Sequence, residues 1–243
     1  MPLIYCNPYQ AASGPGVIAS GTASMLIHFD GANGSTTIVD EMKARTWTRS
    51  GTPSITTTNK KIGTSSLAAL KTGHYSTPYD ASLVFGTGDF TVETWVNVAA
   101  DVIYGGIVCG TYVTGLFRGW ALSVNSTADN HGVALSLWGS NPSSSTAQAE
   151  NVILRYRPKL ILNTWYHIAV TRKDGLVTIW LNGQPVASKT LAIDENYVGP
   201  FRIGSMGNYE HTPYNGHIDE MRIVKGTAVY TEAFTPPTTP FTA

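Results

Sequence analysis

Cysteine is almost absent from this chain, and charge is scarce. Of 243 residues, two are Cys, 16 are Lys or Arg and 16 are Asp or Glu, so the formal net charge is zero. A neutral surface exerts no general pull on phosphate, which argues against nucleic acid as the partner. Low charge instead accompanies protein–protein association. Cys6 and Cys109 cannot build a disulfide framework, and their spacing fits no metal knuckle. Cys109 sits in the apolar run GIVCG (106–110) with no cation beside it in sequence to lower its pKa, so it reads as a small buried hydrophobe. A bridge from it to Cys6 remains open. No apolar run approaches a membrane span, which excludes membrane insertion by a helix. The opening MPLIYCNPY lacks the basic and apolar regions of a signal peptide, so synthesis in a cytoplasm without secretory export is expected.

Helical patterning is missing too, and strand patterning takes its place. The run 89–98, DFTVETWVNV, puts Phe90, Val92, Val96 and Val98 on one face at period two. Similar runs stand at 120–124, 133–138, 152–156 and 165–170. Asp174–Gly175 and Asn182–Gly183 supply the positive φ angles of tight hairpins, so 165–187 reads as a three-stranded meander. The best short-helix candidate is 227–234, closed by Pro236 and Pro237. No internal repeat and no linker divides the chain. Residues 1–23 are rich in Gly, Ala, Ser and Pro and read as a flexible or partner-docking arm, anchored by Leu3, Ile4, Tyr5 and Tyr9. Residues 24–243 then form one all-β domain with a Pro-rich C-terminal edge segment.

Seven blocks in order carry a family likeness: FDG (29–31), KIGTSSL (61–67), GTGDFTVETW (86–95), NTWYHIAVTR (163–172), VTIWLNG (177–183), FRIGS (201–205) and YNGHIDEMRI (214–223). Together they resemble the laminin-G-like, concanavalin A-like jelly roll. The resemblance implies a two-sheet antiparallel sandwich over about residues 25–224. The tail 222–241, RIVKGTAVYTEAFTPPTTPF, is similar to laminin-G-like domains in structural proteins of tailed bacteriophages. That likeness implies a virion location after synthesis in a host cytoplasm, with other virion proteins as partners and a homo-oligomeric state.

Catalytic signatures are wanting. A glycosidase needs two carboxylates converging across a sugar, and strand neighbours share a face only at spacing two. Asp219 and Glu220 are adjacent and are expected on opposite faces, while Glu93 stands alone in its strand. No Gly-x-Ser-x-Gly elbow occurs, and the six histidines (28, 74, 131, 167, 211 and 217) show no HExxH spacing. The chain is therefore expected not to be an enzyme. No cofactor is expected; a structural calcium ion between Asp30 and Asp219 is the alternative, and metal binding stays undecided. Those two residues are read instead as turn and hydrogen-bonding groups. Tyr104, Tyr112, Trp138, Tyr209 and Tyr214 fall in apparent loops and are the candidate sugar-stacking residues, whereas Trp95, Trp165 and Trp180 fall inside strand patterns and read as core. Two functions follow: a virion structural or decoration protein whose arm docks to capsid or tail, or a receptor-recognition module binding a host-surface glycan. The absence of fibrous shaft repeats and heptads favours the first.

Overall fold

The computed structural model describes residues 21–103, 105–110, 119–128, 130–138, 151–191, 199–206 and 213–243. Along these run the strands β1 (Met25–Ile27), β2 (Thr48–Gly51), β3 (Ser54–Thr56), β4 (Ser66–Ala68), β5 (Gly73–Thr77), β6 (Phe90–Val98), β7 (Gly106–Gly110) and β8 (Gly119–Ser126). They continue with β9 (His131–Trp138), β10 (Asn151–Tyr156), β11 (Trp165–Lys173), β12 (Leu176–Leu181), β13 (Gln184–Thr190), β14 (Phe201–Ile203) and β15 (Gly216–Lys225). A single 3-10 turn, Ala81–Leu83, is the one helical element among the described residues.

Two antiparallel sheets result. One has eight strands in the order β13-β12-β11-β6-β15-β4-β3, with β1 on the β15 edge beyond β4, and the other has seven in the order β10-β9-β8-β7-β14-β5-β2. The period-two reading of β6 holds: Phe90, Val92, Val96 and Val98 face the other sheet and join Leu122, Val124, Val133, Leu135, Phe201 and Ile203 in one core. Burial of this apolar set is the main stabilising term, at roughly 25 cal/mol per Å². The meander also holds. Asp174 and Gly175 have φ of 49° and 83°, and Asn182 and Gly183 have 49° and 78°, as tight hairpins require.

The C-terminal segment departs from expectation. Residues 227–234 form no helix. Each of Val229, Tyr230 and Phe234 finds a better partner on the outer face of the eight-stranded sheet, where they pack with Ala169, Trp180 and Val224. Further on, Phe241 packs with Trp95, Leu26 and Ile62. The Pro-rich tail is thus a strap lying across that sheet, which explains why Trp95 and Trp180 are buried although they point away from the central core.

Candidate functional site

Beneath the strap lies a closed polar knot. Glu93, on the outer side of β6, accepts from Arg222 Nε at 2.8 Å, from His167 Nε2 at 3.1 Å and from the Tyr230 hydroxyl at 2.8 Å. Burial alone would raise the Glu93 pKa, but the His167 hydrogen bond and the Arg222 charge outweigh it and hold the carboxylate below its ordinary value. Glu93 and His167 are 0% exposed. A carboxylate engaged on both oxygens and sealed from solvent ties the strap to β6 through Tyr230.

The terminal strands bring a second carboxylate group together. Because β1 pairs with β15, Asp30 comes close enough for its charge to act on Asp219 and Glu220. Asp30 Oδ1 accepts the backbone N–H of Thr64 at 2.6 Å and of Ser65 at 3.0 Å. Asp219 Oδ2 accepts those of Lys61 at 2.7 Å and Ile62 at 3.0 Å. Both are hydrogen-bonding clamps on one loop, 59–65. The opposite-face expectation for Asp219 and Glu220 fails, because a β-bulge sits between Asp219 and Arg222 and Glu220 takes φ 49°. Glu220 then bonds His28 Nδ1 at 2.8 Å and the strap's Phe241 N–H at 2.8 Å. Burial, helped by the charges of Glu220 and Asp30, pushes Asp219 up to about 7 against the pull of the two backbone N–H groups. No group of three or more His, Cys, Asp or Glu suited to a metal occurs among the described residues.

The outer face of the seven-stranded sheet has a different chemistry. None of its seven strands contains an Asp or Glu. Arg155 in β10 stands opposite Ala134, and Ala134 opposite Ser123. One step along, Ser136, Ala121, Cys109 and Arg202 line up across β9, β8, β7 and β14. Small side chains thus floor the middle, with an arginine toward each side, four strand spacings or about 19 Å apart. The floor is buried, while Arg155, Arg202, His74 and Ser76 are part-exposed. Burial, with the Arg202 charge behind it, lowers the His74 pKa, so His74 is neutral at pH 7. Cys109 is buried here, its thiol donating to the Ser205 carbonyl at 3.2 Å.

The aromatic candidates distribute unevenly. Tyr214 is a core residue, 0% exposed, with its hydroxyl donating to the Asn97 carbonyl at 2.8 Å. It has no face left for a sugar. Trp138 closes β9, its backbone paired with Gly119 and Asn151, and its side chain lies outside what is described. Tyr104, Tyr112 and Tyr209, like the arm residues Leu3, Ile4, Tyr5 and Tyr9, lie outside the described residues. Trp165 packs against the buried cluster around Trp95, as its strand pattern suggests, but it stays part-exposed and donates to Asn59. Arg155, Arg202 and His74 were missed, although their alternation with Leu154, Ile203 and Tyr75 was available as a signal.

No curated protein matches the sequence. Among solved structures, domain 4 of AbnA, an extracellular arabinanase from Geobacillus stearothermophilus, in complex with arabinotriose, is similar with a TM-score of 0.64 at 20% identity, covering 88% of this chain and 96% of that one. The binding domain of Paraclostridial Mosquitocidal Protein 1 gives 0.61 at 15% identity, over 85% of this chain and 49% of that one. The binding domain of Botulinum Neurotoxin DC, in complex with SialylT, gives 0.55 at 14% identity, over 84% and 48%. The chain thus spans about half the length of these toxin domains. At such identities the likeness speaks for the fold alone. The family model described as the concanavalin A-like lectin/glucanases superfamily matches residues 70–232. With that match over more than half its length, the chain belongs to the concanavalin A-like lectin/glucanases superfamily.

Proposed function

We propose that this chain is a non-catalytic carbohydrate-binding module carried by a structural protein of a tailed-bacteriophage virion. The distribution of carboxylates carries the reading. The family's name joins lectins to glucanases, and hydrolysis of a glycoside needs two carboxylates flanking the bond. The seven-stranded sheet has none in any strand, and in the other sheet Glu93, Asp219 and Glu220 are all 0% exposed. What the seven-stranded face offers is grip, through the part-exposed Arg155 in the edge strand β10 and Arg202 in β14. Arginine's planar fork suits a carboxylate or sulfate on a sugar, so acidic glycans are the ligand class for this face. The arabinotriose and SialylT complexes of similar folds support sugar binding as a use of this architecture. The virion context rests on the resemblance of the 222–241 tail.

A glycan array probed with the purified chain, followed by reducing-end analysis of bound glycans, tests both halves. Binding without released ends is expected, with Arg202→Ala weakening acidic glycans. An array without a single bound glycan would defeat the proposal. Released reducing ends would defeat its non-catalytic part.

A further inference from the structure

We infer a second, uncharged sugar-contact site on the opposite sheet, formed by Trp165, Asn59 and His217 above Asn97. It rests on the reading of the chain as carbohydrate-binding but uses none of the arginine-flanked face. Trp165 opens β11 opposite Asn97 of β6, and Asn97 stands opposite His217 of β15. Asn97 alternates with the inward-facing Val96 and Val98, so this row lies on the outer side. The loop between β3 and β4 brings Asn59 to the row.

Hydrogen-bond direction fixes what the site presents. The Trp165 indole N–H can only donate, and its partner at 3.1 Å is Asn59 Oδ1. The other end of that amide, Nδ2, stands 3.0 Å from His217 Nδ1 and must donate to it. His217 Nδ1 is then an acceptor, so the ring is neutral and carries its proton on Nε2. Burial lowers the His217 pKa, in agreement with a neutral ring. Nε2–H has no hydrogen-bond partner among the described residues. Beside it, Asn97 is 3% exposed and its Oδ1 has no partner either. A buried amide oxygen left unpaired costs roughly 1–3 kcal/mol.

An unpartnered donor beside a part-exposed indole, with an orphan acceptor in the layer beneath that solvent does not reach, matches one kind of ligand. A sugar hydroxyl both donates and accepts, and the apolar face of a sugar ring stacks on an aromatic. The class is neutral. Of the nearby cations, Lys61 sits over the Trp95 ring at 4.3 Å, and Lys60 donates to the Thr64 carbonyl at 3.1 Å. Asn59 is also held in advance: Ser66 donates to its carbonyl, and Asp219 and Asp30 clamp the residues that follow. A preformed loop spares the ordering cost of binding.

The test uses intrinsic tryptophan fluorescence titrations with a panel of neutral oligosaccharides, arabinotriose included, beside sialyllactose as the acidic probe. A neutral saccharide is expected to change the emission. Trp165→Ala and His217→Ala should each weaken its binding about tenfold or more, His217→Ala at a nearly unchanged melting temperature, while Trp165→Phe retains it. His217→Ala keeps the test decisive should Trp165→Ala fail to fold. Neutral-sugar affinity that is unchanged in His217→Ala but lost in Arg202→Ala would overturn this site and leave carbohydrate binding standing. Failure of the wild type to bind any saccharide, neutral or acidic, would overturn both.

Discussion

Gly175 and Gly183 occupy matching turn positions in quite different surroundings. A Cβ on Gly175 would meet nothing closer than 3.8 Å, so a substitution there pays only for its left-handed backbone. Gly175→Ala should cost about 1–2 kcal/mol. A Cβ on Gly183 would stand 1.7 Å from the Phe234 carbonyl of the strap. Gly183→Ala must therefore also displace the strap, and about 3 kcal/mol or more is expected. Equal shifts in melting temperature would show that the strap does not bear on this turn. Both glycines were legible as turns from Asp-Gly and Asn-Gly; the contact at Gly183 was not, since it joins residues far apart in sequence. Asp219 supplies a second residue-scale test. Its pKa stands at about 7 in the fold against 3.8 in its ordinary state, so the stability tied to its protonated form is full below about 3.8 and lost as pH rises through 7. Glu220, raised by burial, has the same sign. His28 is raised because Glu220 and Glu41 outweigh the effect of its burial, and it also contributes below its unfolded value and loses that contribution above its folded one. Asp219→Asn keeps an oxygen for the Lys61 and Ile62 N–H groups but cannot ionise. Thermal melts from about pH 5 to about pH 8 should be flatter for Asp219→Asn than for the wild type. An identical slope would move the titration elsewhere.

At the scale of elements, alternation was readable and its interruptions were not. The period-two runs in β6, β8, β9 and β11 locate the core because each strand has one face toward the other sheet. The bulge in β15 escapes such reading: nothing in the run GHIDEMRI announces that Glu220 is the extra residue, yet it decides where both carboxylates go. The strap escapes for a related reason. Its apolar residues carry no period, because they answer to a surface made by β6, β11, β12 and β15. Trp165 shows the limit of the same logic: it packs on the cluster around Trp95, yet as the first residue of β11 it stays part-exposed. The strap's attachment is testable through Glu93. Glu93→Ala leaves Arg222 as a buried cation without its carboxylate and frees the Tyr230 hydroxyl. Breaking one half of a buried pair costs about 3–5 kcal/mol, and the melting temperature should fall accordingly. Chymotrypsin should then cut at Tyr230 or Phe234, both 2% exposed in the intact fold. A variant that melts lower but resists cleavage would detach the network from the strap.

Among the described residues the two sheets differ on their outer sides: one is crossed by the C-terminal strap, and the strands of the other contain no Asp or Glu. The molecule's N-terminal side bears on how such a module is carried. Gly21, the first described residue, already packs on the domain, since a Cβ there would meet Val224 Cγ1 at 2.8 Å. Ser24 N–H follows by donating to the Ile223 carbonyl at 2.7 Å, and Ala23 is 5% exposed in the cluster around Trp95. Residues 21–23 therefore belong to the domain and not to the arm. The preceding twenty residues combine Leu3, Ile4, Tyr5 and Tyr9 with a Gly-, Ala- and Ser-rich stretch. Fixing such a segment costs roughly 1–2 kcal/mol per residue in backbone entropy, so a partner that orders it must bury those side chains or pair the arm as an added strand. Deleting residues 1–20 should accordingly leave the melting temperature nearly unchanged while abolishing incorporation into an oligomer or particle. Calorimetry and size-exclusion chromatography with light scattering read the two effects separately. A truncated chain that melts far lower would place the arm within its own fold. One that stays folded and still assembles would leave the arm without a docking role.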